Sequence, residues 1–242
     1  MNGLLLIDKP RGITSHDVIY RLRRLFRDAG VLPVPKVGHA GTLDPLATGL
    51  LLVGVGKGTK NLQSLVGLDK TYEAELTLGA TSDTFDAEGT IIPFPLEEGE
   101  HKGEPTAPTN DEIQTVINKF TGSFDQLAPL FSAKKIKGQK LYDLARKGTA
   151  TEEMRPSKLI TIHELEITDY NYPILKLTVR CSSGTYIRSL ADDIGRALGT
   201  GAYLTALRRT HISTYDVKDA ISLTKPTIED LNRQILPFEA KT

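Results

Sequence analysis

The run Gly38-His39-Ala40-Gly41-Thr42-Leu43-Asp44-Pro45-Leu46-Ala47-Thr48-Gly49 sets one carboxylate and one imidazole among three glycines. An aspartate carboxylate can act as a nucleophile in covalent catalysis. Glycines let a backbone come close to a ligand, and a histidine adds a flat ring that titrates near neutrality. The same letters have a purely structural reading, because Asp followed by Pro is the pattern of a helix N-cap with proline in the first helical position. Spacing alone leaves both open.

Three further segments carry chemistry-bearing side chains. In Lys70–Gly79, alternation puts Tyr72 on one face with Ala74, Leu76 and Leu78, as a core aromatic or as a strand-end ring that stacks beneath a base. Cys181–Leu190 reads as strand, glycine turn and helix start, whose free N–H groups suit a phosphate or a carboxylate. Arg188 there opposes the helix dipole, so a carboxylate partner is expected for it, with a plain surface arginine as the alternative. Gln126–Gly148 gathers Lys134, Lys135, Lys137, Lys140, Arg146 and Lys147 around Phe131 and Tyr142. Basic groups interleaved with aromatics suit RNA backbone and loop bases, although many solvated helix faces look the same.

The elements that must position these groups follow from periodicity and turn chemistry. Gly3 to Ile7 reads as an apolar strand ending in a turn cluster, followed by a helix with Ser15 as N-cap and Val18, Ile19, Leu22, Leu25 and Phe26 on one face. Gly30 closes that helix, and residues 31–49 read as turns. Strands are expected at Leu50–Val55, Lys70–Gly79, Leu159–Ile167, Ile174–Cys181 and Gly201–Ile212. Thr81–Gly89 reads as a polar loop, and Pro93–Pro108 as a surface excursion. Helices are expected after the Thr109 capping box, over Gln139–Lys147, from a Thr185 cap through Leu198, and over Thr227–Ile235. The mixture indicates an α+β fold.

Totals narrow the class. Net charge is zero over 242 residues, yet residues 1–60 carry nine basic against four acidic groups and residues 134–158 eight against three. Such segregation builds positive faces that bind phosphate backbones, although taken alone it is more often a set of solvated helix faces. The apolar stretch near the N-terminus is too short for a signal peptide and no run approaches a membrane span, so cytoplasmic residence is expected. Cys181 is the only cysteine and the five histidines are scattered, so neither a disulfide nor a metal cluster is expected.

Taken together these segments resemble the TruB family, the tRNA pseudouridine-55 synthases. The motifs that carry the resemblance are Leu6–Gly12, Gly38–Gly49, Lys70-Thr71-Tyr72, Asp83–Gly89, Ser132–Lys135 with Gly138 and Lys140-Leu141-Tyr142, Ala145-Arg146, and Gly184–Arg188. Gly201-Ala202 and Leu207-Arg208-Arg209 also fall in the family's order, so coverage runs from about Gly3 to about Leu223. The resemblance implies a pseudouridine-synthase core over residues 1–223, a mixed and mostly antiparallel sheet flanked by helices with a central RNA-binding cleft. Residues 224–242 are then a short C-terminal helix and tail, with no PUA-type RNA-binding module.

Residue by residue, the resemblance makes Asp44 the nucleophile, Tyr72 the ring that stacks on the target base and Arg188 the partner of the aspartate. Tyr186 lines the pocket with Leu204 nearby, His39 helps hold the displaced T-loop nucleotides, and Lys9 and Pro10 line the cleft floor. Lys135, Arg146 and Arg208 join the substrate-binding set. The implied reaction isomerises the uridine at tRNA position 55 by base flipping, needs no cofactor or metal, and is carried out on the tRNA T arm by a monomer without an obligatory protein partner. Departures are the missing PUA module, which reduces acceptor-stem contact, and Ala128-Pro129 and Phe131 where the family favours Pro-Pro and Tyr. The rival readings are a guide-RNA-dependent synthase subunit, a non-catalytic tRNA-folding chaperone, and a structural or small-molecule-binding α+β protein.

Overall fold

The computed structural model describes residues 1–94, 107–132, 134–136 and 138–237. Most of the acidic excursion at 93–108, together with Ala133, Lys137 and the tail at 238–242, lies outside the described residues. From the N-terminus come β1 (Gly3–Lys9), α1 (Ser15–Asp28), β2 (Val37–Ala40), β3 (Thr48–Val55), the short α2 (Leu62–Val66) and β4 (Lys70–Leu78). Next are β5 (Ala80–Ser82), β6 (Ile91–Pro93), α3 (Asn110–Lys119), β7 (Gly122–Leu127), β8 (Lys135–Ile136), β9 (Gln139–Lys140) and α4 (Leu141–Arg146). Then follow β10 (Ser157–Asn171), β11 (Ile174–Cys181), α5 (Ile187–Ala197), β12 (Ala202–Ile212), β13 (Tyr215–Asp216), β14 (Ile221–Ser222) and α6 (Ile228–Gln234). This is a mixed α/β chain with mostly antiparallel strand pairing. Two compact units divide it, one of Met1–Tyr72 with Leu207–Thr242 and the other of Glu73–Ala206, and both boundaries fall within strands, β4 and β12.

In the first unit β3 pairs antiparallel with β1 and β2, β1 pairs parallel with β14, and the Arg208–Arg209 stretch of β12 pairs parallel with the start of β3. Side chains alternate along β1. Leu5 and Ile7 join Leu51, Val53, the α1 residues Val18, Leu22 and Phe26, and Leu231 of α6. Leu4 and Leu6 join Leu50, Leu52, Leu65 and Ile212 on the opposite face. Covering both faces explains why β1 and β3 read as unbroken apolar runs rather than as alternating strands.

Thr14, not Ser15, caps α1. Its hydroxyl accepts the Asp17 N–H at 3.1 Å and the Asp17 carboxylate accepts the Thr14 N–H at 2.8 Å, a complete capping box. The Ser15 hydroxyl is thereby released for another use. β2 was hidden among turn residues because four residues are too few to set a period.

In the second unit the 15-residue β10 lies between β11 and β7, antiparallel to both. β11 alternates cleanly: Leu175, Leu177, Val179 and Cys181 are buried, while Lys176 and Arg180 face out to Asp169 and Glu164. Helix α3 begins with the expected Thr109–Glu112 capping box and buries Ile113, Val116 and Ile117. Helix α5 starts at Ile187 with Tyr186 as N-cap, because the Thr185 hydroxyl is used on the Ser182 carbonyl at 2.9 Å. The helix expected over Gln139–Lys147 is only α4. Its first part is instead the β8–β9 hairpin, turned near Gly138, whose φ of 85° suits glycine. Among the described residues no helix is long and apolar enough to cross a membrane.

Candidate active site

Asp44 sits in the first unit on a non-helical turn between β2 and β3, so the reading of Asp44-Pro45 as a helix start does not hold. Pro45 restricts the residue before it to extended conformations, and the rest of the turn is tied down from several sides. The Ser15 hydroxyl accepts the Leu43 N–H at 2.8 Å and donates to the Leu43 carbonyl at 3.1 Å, both buried. The Ala47 N–H donates to the Asp44 carbonyl at 3.1 Å, and the Gly12 N–H to the Pro45 carbonyl at 2.8 Å. Lys9, fully buried, sends its ammonium to the carbonyls of Pro10 (3.0 Å), Ile13 (2.7 Å) and Pro45 (3.4 Å). It therefore fastens the Pro10–Ile13 turn to the Asp44 turn. Asp44 itself is half-buried, on a backbone held from several sides.

At both ends of the same loop a residue of β12 intervenes: Arg209, 1% exposed, donates from Nε to the Leu50 carbonyl at 2.7 Å and from Nη2 to the Gly41 carbonyl at 2.9 Å. Gly49 allows this approach: its φ is 99°, and a Cβ there would lie 2.3 Å from the Arg209 carbonyl oxygen. His39, on β2, has its Nδ1 buried with no hydrogen-bond partner among the described residues. Burial first, then the charges of Arg209 and His16, hold its pKa below the ordinary imidazole value, so the ring is neutral at pH 7. Arg208 points its fork at Asp8, with contacts of 3.1 and 2.9 Å. Tyr72 is buried on β4, on the face it shares with Ala74, Leu76 and Leu78.

The second unit holds the remaining candidates. Arg188, buried in the first turn of α5, has Asp86 as a carboxylate neighbour that the sequence reading did not name: Nε lies 3.5 Å from Asp86 Oδ2. Its Nη1 donates to the Thr84 carbonyl at 3.0 Å and Nη2 to the Phe131 carbonyl at 3.1 Å. Asp86 is buried and also accepts from the Thr84 hydroxyl at 2.6 Å and the Glu88 N–H at 3.0 Å. Leu204 bridges the same segment, accepting the Ala87 N–H at 2.9 Å and donating to the Phe85 carbonyl at 3.0 Å. What read as a polar loop is thus an ordered turn built on a buried ion pair.

Tyr186 is half-buried, and its backbone is held by Gln126, whose amide accepts the Tyr186 N–H at 2.8 Å and donates to the Tyr186 carbonyl at 3.0 Å. Arg146 ends α4 with its guanidinium 5.5 Å from the Tyr142 ring centroid. Lys135 lies on β8, and its side chain is outside the described set.

Asp44, Tyr72, Lys9, Pro10, His39 and Arg208 therefore belong to the first unit, and Arg188, Tyr186, Leu204, Lys135 and Arg146 to the second. Ser15, Arg209, Asp86 and Gln126 escaped the sequence reading. For Ser15 a signal existed: capping-box spacing fits Thr14 with Asp17 and not Ser15 with Val18, which marks the Ser15 hydroxyl as spare. Among the described residues no cluster of three or more His, Cys, Asp or Glu is placed to hold a metal. The chemistry on offer is that of a positioned carboxylate, a neutral imidazole and buried guanidinium groups.

Residues 29–187 match the family described as TruB family pseudouridylate synthase (N terminal domain), and residues 188–241 match the tRNA pseudouridylate synthase B C-terminal domain. A tRNA pseudouridine synthase B of Syntrophotalea carbinolica is 45% identical over 92% of the chain and 68% of its own length. One from Aquifex aeolicus is 41% identical over 99% of the chain and 78% of its own length. Among solved structures, a Cbf5-Nop10-Gar1 complex aligns with a TM-score of 0.70 at 27% identity, covering 97% of this chain and 60% of that one. An H/ACA RNP bound to a substrate RNA containing 2'-deoxyuridine aligns at 0.63 and 26% identity, covering 91% of this chain and 51% of that one.

Proposed function

We propose that this chain, which belongs to the TruB family of pseudouridylate synthases, isomerises the T-loop uridine at position 55 of tRNA to pseudouridine with Asp44 as nucleophile. It is a tRNA pseudouridine synthase like the relatives that match over more than nine-tenths of it. The observation that carries the mechanistic reading is the Asp44 turn: a half-buried carboxylate whose backbone is fixed on both sides before any substrate arrives. Such preorganisation places a nucleophile without spending binding energy on ordering it.

The reaction balances within the substrate. The bond from N1 of uracil to C1′ of the ribose breaks, the base rotates, and C5 bonds to C1′. The C5 proton leaves and N1 gains one, so no oxidant, reductant or second substrate is consumed. Asp44 attacks as the carboxylate, at C1′ or at C6. A uridine in a folded loop must leave its stack first, at a cost of a few kcal/mol that aromatic stacking offsets. The family pattern supports Tyr72 for that stacking, Arg188 for holding the nucleophile's charge and His39 for the displaced nucleotides. A neutral His39 ring suits contact with bases better than an imidazolium would.

The reading has the chain act alone, as a monomer, on the T arm. The solved neighbours include an H/ACA RNP and a Cbf5-Nop10-Gar1 complex, so a guide-dependent subunit is the second reading. The experiment is tritium release from an unmodified tRNA transcript labelled at uridine C5, with Asp44→Asn in parallel. About one equivalent released per tRNA by the wild type only, and lost when the T-loop uridine is replaced, is the expected result. Tight tRNA binding without release would overturn it in favour of the guide-dependent or chaperone readings.

A further inference from the structure

We propose that Ser15 is a positioning residue for the Asp44 nucleophile, an inference that rests on the function proposed above. Three observations carry it. First, the hydroxyl is not needed by its own helix, because the Thr14–Asp17 capping box already serves the α1 N-terminus. Second, Ser15 is 1% exposed and spends its donor and its acceptor on one residue, Leu43, across 28 positions of chain. A buried hydroxyl used this way holds its partner in one orientation, since losing either bond strands a buried polar group.

Third, the two peptide planes it holds are those on either side of the Leu43 Cα, and the second contains the nitrogen of Asp44. The next plane is fixed by the Ala47 N–H on the Asp44 carbonyl, and the one after by Gly12 and Lys9 on the Pro45 carbonyl. Four consecutive planes, from Thr42–Leu43 to Pro45–Leu46, are thus each held by a hydrogen bond, the first two by the Ser15 hydroxyl alone. Pro45 fixes the φ that follows. Removing Ser15's hydroxyl frees the two N-terminal planes while leaving the Pro45 side intact, which lets the carboxylate swing about the Pro45 end of the turn.

The prediction concerns rate rather than affinity. Displacing a reacting group by about 1 Å costs up to about a hundredfold in rate, so Ser15→Ala should slow single-turnover tritium release by about thirtyfold with tRNA Kd changed less than about threefold. Ser15→Cys keeps the side-chain size with a weak donor and should show the same split, which keeps the test open should Ser15→Ala fold poorly. Val18→Ala is the control, because Val18 is equally buried in α1 but packs into the core rather than onto the turn. Amide exchange at Leu43 supplies a readout independent of turnover: both Ser15 variants should lose its protection, and Val18→Ala at equal stability should keep it.

A Ser15→Ala or Ser15→Cys enzyme within about threefold of the wild-type rate overturns the proposal, as does retained Leu43 protection. So does a rate loss that Val18→Ala reproduces at matched stability, since Ser15 would then be an ordinary core hydroxyl. The functional reading is judged separately, by wild-type turnover and its loss in Asp44→Asn.

Discussion

Arg209 offers the sharpest test of how this fold supports its chemistry. Replacing it with Met keeps the apolar stem and removes the guanidinium, stranding the Leu50 and Gly41 carbonyls that it now satisfies. A buried acceptor left unpaired costs about 1–3 kcal/mol and the half-buried Gly41 carbonyl less, so the pair should cost about 2–4 kcal/mol. For a chain of this size each kcal/mol lowers Tm by about 2–4 °C, giving a fall of about 10 °C. Arg209→Lys keeps the charge but not the planar fork, so it should satisfy one carbonyl and lose about 1–3 kcal/mol. Urea unfolding followed by circular dichroism measures both. The same variants separate charge from hydrogen bonding at a second site. The Arg209 charge is, after burial, the next cause holding the His39 pKa down. His39 should therefore titrate closer to its ordinary value in Arg209→Met and stay low in Arg209→Lys, as read from its ring proton resonances. A Met variant within about 1 kcal/mol of wild type, or a His39 titration indifferent to the loss of the charge, would refute this account of the loop.

Arg188→Lys should cut turnover at least about tenfold with tRNA binding largely kept, because a point charge cannot serve Asp86, Thr84 and Phe131 together. Normal turnover would show that the fork is unnecessary. Tyr72→Phe should bind tRNA as wild type does while slowing the reaction, if the hydroxyl helps remove the C5 proton; equal rates assign Tyr72 to stacking alone. Burial, and then the neighbouring Asp192 charge, push the Asp193 carboxyl up to about 6, above its ordinary 3.8. The folded state thus holds this proton more tightly than the unfolded chain, and the group's contribution to stability is lost as pH rises from about 4 to about 6. Asp193→Asn should accordingly stabilise the protein by about 1–2 kcal/mol above pH 7, allowing for solvent screening, with the gain gone near pH 4. A gain that is the same at both pH values argues against a raised Asp193.

Much of the fold was legible because its signals are local. The helix after the Thr109 capping box, the helix expected over Thr227–Ile235 and the strand expected over Ile174–Cys181 each match an element within a residue or so. Where local signals compete, sequence reasoning chose wrongly: Ser15 and Thr185 are good caps by type, yet neighbours took the role and their hydroxyls went elsewhere. The chemistry of Asp44 was visible as a residue type with two meanings, and the resemblance to a family, not periodicity, decided between them. What supports it was not visible at all. Ser15 to Leu43, Arg209 to Gly41 and Gln126 to Tyr186 are contacts between distant segments through ordinary polar residues. Arg208 drew attention beside Arg209 because adjacent arginines look alike in a string, while only the pleat decides which one faces inward.

The unit that carries Asp44 is discontinuous, and this has a consequence for the order of events at the ribosome. β1 is synthesised well before its parallel partner β14, and Leu4 exchanges backbone hydrogen bonds of 2.9 and 2.8 Å with Leu236. The usual sequence of N-terminal unit first, C-terminal unit later cannot apply, since residues 73–206 are translated in between. The inserted unit is free to fold on the nascent chain while β1 and α1 wait for β14 and α6. The Asp44 turn has its Lys9, Gly12 and Ser15 anchors upstream of it in the chain, whereas the Arg209 bonds to Gly41 and Leu50 form only after residues 73–206 have been translated.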